Sequence, residues 1–127
     1  MAGYSGTPLP RKPGIKPGHR VLAVGAPADF DVPAYHRRPG REPYDVVLLF
    51  CLDAATLHQR FGKAAARLVR NGGLWVCRPK RASGVPTDLS DDHVRQYGLA
   101  QGLVDNKVAA IDSTWSGLRF VYRLADR

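Results

Sequence analysis

Cysteine is scarce in this sequence, and its placement removes whole classes of chemistry. Cys51 and Cys77 form no Cys-x-x-Cys pair and have no histidine pair at ligand spacing beside them, which excludes the common zinc and redox motifs. Both are expected to be reduced and buried as small apolar side chains. Long apolar runs are also missing. The longest, Val46–Leu52, is far too short to cross a bilayer, and Met1–Pro8 holds no signal-peptide core. A cytoplasmic protein with no membrane attachment is therefore expected. His19, His36, His58 and His93 are scattered, and no nucleophile–base set is recognisable, so the expectation is no catalytic residue, no metal and no cofactor.

Carboxylates are few toward the amino terminus. Up to Arg41, Asp29 and Asp31 stand against Arg11, Lys12, Lys16, Arg20, Arg37, Arg38 and Arg41, and the whole chain carries a formal charge of +8. Such a balance favours an acidic partner, whether protein, nucleotide or nucleic acid. No helix-turn-helix, zinc finger or aromatic RNA-recognition motif accompanies it.

What is present suits one ordinary domain. A chain of 127 residues with 44% hydrophobic and 24% charged residues can bury a core unaided. Residues 1–18, with Pro8, Pro10, Pro13 and Pro17, read as an extended basic Pro/Gly-rich arm, and residues 19–127 as a single α/β domain. Strands are expected at His19–Gly25, briefly at Val32–His36, and at Tyr44–Phe50, whose unbroken apolar run implies burial on both faces and hence helices on both sides of the sheet. Asp53 caps a helix with Leu57, Phe61, Ala64 and Leu68 on one face, Leu52 and Leu57 at staple positions, and Asn71-Gly72-Gly73 as its stop. Leu74–Cys77 is the next strand. Ser90 caps a second helix, with Asp91 and Asp92 in its first turn, Leu89 and Val94 as a staple, and Gly102 as its end. Val104–Ile111 and Leu118–Tyr122 then form an antiparallel hairpin joined by Asp112–Gly117.

Three candidate sites follow. The loop after the Leu74–Cys77 strand offers Lys80 and Arg81 as cationic donors, Ser83 and Thr87 as hydroxyls, and Gly84 for close backbone approach, a combination suited to a phosphate or carboxylate. The same residues also suit a solvated turn. Trp115-Ser116-Gly117 in the hairpin loop either anchors a partner or packs back on the sheet. Arg11, Lys12, Lys16, Arg37, Arg38 and Arg41 either contact nucleic-acid phosphate or form a solvated basic surface.

Tyr44-Asp45-Val46-Val47-Leu48, Leu68–Val76 and the closing hairpin resemble the carboxyl-terminal half of a class I S-adenosylmethionine-dependent methyltransferase domain. Gly3–Leu9, Gly14–Gly18, Lys80–Leu89 and Thr114–Leu118 further resemble a bacterial family, domain of unknown function number 3052, which has no established activity. The resemblance implies a shortened Rossmann-like, mostly parallel sheet with a terminal antiparallel hairpin. It departs from the enzymes where they bind cofactor. The turn Gly25-Ala26-Pro27-Ala28-Asp29-Phe30 keeps one glycine and sets a proline where N–H groups are needed, and Asp29 and Asp31 lie too close to Gly25 for a ribose-binding carboxylate. Val21 to Phe50 spans about 30 residues, half the roughly 60 that two crossovers require. The implied function is a non-catalytic binding or regulatory protein on a degenerate scaffold. The alternatives are a small-anion or nucleotide site at Lys80–Thr87 and RNA or DNA binding through the arm and Arg cluster.

Overall fold

The computed structural model describes residues 15–30 and 35–127. It is α/β, with a mixed six-stranded sheet and two α-helices. The strands are β1 (Val21–Val24), β2 (Tyr35–His36), β3 (Tyr44–Phe50), β4 (Leu68–Pro79), β5 (Leu103–Ala110) and β6 (Trp115–Tyr122), in the order β2-β1-β3-β4-β6-β5. The pairings from β2 through β4 are parallel, and β6 runs antiparallel to both β4 and β5. Val32 and its two successors in the expected second strand, like most of the arm, lie outside the described residues.

Helix α1 (Ala54–Ala65) starts where Asp53 accepts a hydrogen bond from Thr56 N at 2.8 Å, and it buries Leu57, Phe61, Ala64 and Ala65. Leu52 stays half exposed while Leu57 is buried. Helix α2 (Asp91–Ala100) starts where Ser90 accepts from His93 N, with Leu89 and Val94 both buried. Gly102, just past its end, takes φ +93, a left-handed conformation natural to glycine.

Two expected boundaries move. Asn71-Gly72-Gly73 does not stop α1, because Arg67 N bonds Ala64 O, Tyr44 N claims Arg67 O, and β4 begins at Leu68. The glycine pair lets chains approach: a Cβ on Gly72 would stand 2.8 Å from the Asp45 carbonyl oxygen. The hairpin loop is also shorter than expected. The Asp112 carboxylate accepts from Thr114 N and Trp115 N, both at 2.8 Å, so residues 111–114 make the turn and Trp115, Ser116 and Gly117 belong to β6.

The core has two sides. Leu22, Val47, Leu49, Leu74, Val76, Leu118 and Phe120 face one way and meet Leu57, Phe61 and Ala64 of α1 and Val94 of α2. Val21, Ala23, Val46, Leu48, Phe50, Trp75 and Cys77 face the other, where Phe30, Ile111 and Trp115 close over them. Both helices therefore cover one face. The expected helical cover of the second face does not appear among the described residues, because β1 passes to β2 with no described helix between them. No helix of the structure is long and apolar enough to cross a membrane.

Candidate functional site

The loop after β4 is held by its own contacts. Ser83 Oγ donates to Lys80 O at 2.6 Å and accepts from Val85 N, and Thr87 Oγ1 accepts from Leu89 N. Lys80 N donates to Thr114 O, and Gly84 takes φ +77 to close a short 3-10 turn over Arg81–Ser83. A pocket of about 450 Å³ does open beside Arg81, Gly84 and Thr87, but Asp91 also lines it, and Arg78 there is paired with Asp91 at 2.8 Å. With the Ser83 proton committed to Lys80 O and a carboxylate in the wall, this is a weak anion receptor.

Trp115 is no exposed anchor. It is 8% exposed and meets Phe50 edge-on at 5.0 Å. Gly117 sits beside it because a Cβ there would crowd the Trp75 ring at 2.7 Å, and Ser116 pairs with Arg78 across β4–β6. Burial pushes the Cys51 thiol up to about 12 and the Cys77 thiol well above its ordinary value, so neither supplies a thiolate near neutral pH.

The basic residues separate. Arg11 and Lys12 lie outside the described residues, Lys16 lines a pocket on the Trp75 side of the sheet, and Arg38 and Arg41 are exposed. Of the described members of that set, Arg37 alone enters a groove between α1 and β1 with a volume of about 520 Å³. Leu22, Val24, Pro39 and Ala64 give the groove an apolar lining, while Arg37, Arg60, Lys63 and Arg67 supply cations. Among the described residues no carboxylate lines it. Arg60 and Lys63 stand one turn apart on α1, and Arg67 follows in the turn between α1 and β4. Arg67 Nη1 donates to Gly40 O at 3.4 Å, and Arg37 Nη2 reaches Pro27 O and Ala28 O at 3.5 Å, all neutral acceptors.

Arg60 also reaches the turn after β1. Gly25 holds φ +71, and a Cβ built on it would stand 3.2 Å from both Arg60 Nη1 and the Phe50 carbonyl oxygen. Sequence reasoning passed over Arg60, Lys63 and Arg67. Their signal was the cation spacing beside the apolar stripe of α1, but the groove itself forms only when α1 meets β1 and the segment after β2. No protein family matches this chain, and no curated protein matches it.

Proposed function

We propose that this chain is a non-catalytic binding protein whose α1–β1 groove takes an acidic amphipathic segment of a partner protein. The observation that carries this reading is the groove itself: an apolar lining with Arg37, Arg60, Lys63 and Arg67 around it and, among the described residues, no carboxylate in its walls. Leucine-like side chains gain from covering Leu22 and Val24, while carboxylates on the flanks of the same segment meet the guanidinium and ammonium groups. Nucleic acid fits less well, because among the described residues no aromatic side chain lines the groove to stack a base.

The scaffold belongs to the same proposal. Parallel pairing from β2 to β4 followed by an antiparallel edge hairpin supports a shortened methyltransferase-like arrangement, and the stretches resembling domain of unknown function number 3052 fit that view. Arg60 against Gly25, with Pro27 next but one in the turn, favours loss of cofactor binding, since a sulfonium would face guanidinium charge in place of free N–H groups.

The test is a fluorescence-anisotropy titration of the full chain with a labelled peptide of about 14 residues, helical by design, with leucines on one face and glutamates flanking them. Saturable binding that weakens as salt rises is expected. Arg60→Glu with Lys63→Glu should abolish it while leaving the melting temperature close to that of the parent, because both side chains are exposed. Binding that survives this double reversal overturns the reading. Tighter binding of an oligouridine than of the peptide would transfer the groove to nucleic acid.

A further inference from the structure

On the face of the sheet opposite the helices, Arg119 of β6 lies across β4 at Gly73. A Cβ on Gly73 would run into the Arg119 guanidinium, so β4 carries a glycine where the side chain crosses. Two irregularities in the ladder flank this point. Phe120 pairs with Asp105 and Arg119 with Lys107, leaving Asn106 as an extra residue of β5. On β4, pairing with β3 jumps from Leu68 to Gly73, which takes Asn71 out of the ladder. Bulges of this kind re-aim side chains and recur beside functional sites.

The result is a pocket of about 450 Å³ over Trp75, lined by Lys16, His19, Asn71, Asn106, Lys107 and Arg119. Among the described residues no carboxylate lines it. Arg119 Nη1 donates to Asn106 Oδ1 at 3.4 Å, a neutral partner. Burial, and after it the charge of Arg127, holds the Arg119 guanidinium below its ordinary value, whereas the hydrogen bond that Arg95 of α2 donates to the Asp105 carboxylate raises Arg95. Arg119 is thus a half-buried cation that lacks the compensating charge Arg95 enjoys. His19 Nδ1 accepts from Lys16 N at 3.1 Å, which places the proton of a neutral ring on Nε2 and gives the pocket another donor. Residues 1–14 contain no Asp or Glu, so that part of the chain brings no carboxylate of its own.

The geometry points to a binding site for a phosphate monoester in this pocket, distinct from the α1–β1 groove, with the Arg119 fork as its anchor and Asn71, Asn106, Lys16 and Lys107 as supporting donors. The guanidinium offers paired N–H groups to two phosphate oxygens, and the two lysines match the second charge of the dianion. A single carboxylate, with one charge, would leave the lysines unmatched. Because Leu22 and Ala64 of the groove face one side of the sheet and Trp75 the other, the two sites do not share residues and can fail separately.

Calorimetric titration of the full chain at low salt with inorganic phosphate, O-phosphoserine and adenosine monophosphate tests this, with glutamate as the carboxylate control. Saturable binding of at least one phosphate probe, weakened about tenfold or more by Arg119→Gln, is the expected result. Preference for phosphoserine identifies a phosphorylated side chain as the source, preference for adenosine monophosphate a nucleotide, and equal binding of all three the free anion. If Arg119→Gln does not fold, the exposed Lys107→Gln and Asn106→Ala variants should still weaken binding. Arg60→Glu should leave it unchanged. No saturation with any phosphate probe, binding indifferent to every pocket variant that folds, or glutamate binding as tightly as phosphoserine overturns the assignment.

Discussion

Gly98 of α2 rests directly against the ring of Phe120 in β6, so closely that a Cβ at position 98 would overlap Cε1 and Cζ of the ring. The helix is seated on the sheet through a residue that intrinsic propensity disfavours. Gly98→Ala tests which effect wins. Alanine gains about 1 kcal/mol of helix propensity. Overpacking against a fully buried ring costs about 1–3 kcal/mol and forces either α2 or Phe120 to shift. Net destabilisation is expected in urea unfolding, and a rise in stability would show that α2 moves freely on the sheet.

The cap of α2 gives a smaller, cleaner effect. Ser90→Ala removes the acceptor for His93 N and should cost about 1 kcal/mol, whereas Ser90→Asp should retain most of it because aspartate accepts the same bond. Equal loss in both variants, read by thermal unfolding, would contradict the capping role.

Trp115 separates packing from recognition. Its ring is nearly buried against Phe50, so Trp115→Ala should destabilise the fold by about 3–5 kcal/mol. Affinity of the folded variant for the acidic peptide should stay unchanged. A loss of peptide affinity at constant stability would instead make Trp115 part of the interface.

The buried thiols set the alkaline limb of stability. An unfolded Cys51 ionises near 9.0, whereas in the folded chain burial pushes it up to about 12, and Cys77 shifts the same way. Across that window the unfolded chain loses thiol protons that the folded chain keeps. Stability is therefore full below the unfolded value and falls as pH rises, by up to about 1.4 kcal/mol per pH unit for each thiol. Urea unfolding at about pH 8 and about pH 10 reads this slope, which Cys51→Ala should reduce. A slope unchanged by that substitution would show that other groups cause it.

The parts of this fold legible in the sequence were those in which local pattern and tertiary environment agree. The Tyr44–Phe50 run reads as a doubly buried strand and is one, and Asp53 and Ser90 read as caps and accept the expected bonds. Asn71-Gly72-Gly73 misled because glycine serves two ends: it stops helices, and it lets a neighbouring chain or side chain come close. Here Asp45 and Arg119 make the second use, and both belong to other strands. Trp115 was assigned to a loop because nothing local shows that Asp112 tightens the turn. The basic Lys80–Thr87 loop stands out for its residue types, yet the Ser83 hydroxyl donates to the loop's own backbone and the Thr87 hydroxyl accepts from Leu89 N. Arg37 was legible only as charge. Its place beside Arg60, Lys63 and Arg67 depends on three separate segments meeting, which no local window contains.

We propose a cationic, apolar-lined groove that binds a partner segment in place of a cofactor. Thermal unfolding of the full chain, run side by side with the acidic amphipathic peptide and with S-adenosylmethionine, tests it most directly, because a ligand at a hundred times its Kd adds about 2.7 kcal/mol of stability. The account predicts a higher melting temperature with the peptide, lost in the Arg60→Glu and Lys63→Glu double variant, and no change with S-adenosylmethionine. Stabilisation by S-adenosylmethionine, with none from the peptide, would contradict it and restore the turn at Gly25 as a working cofactor site.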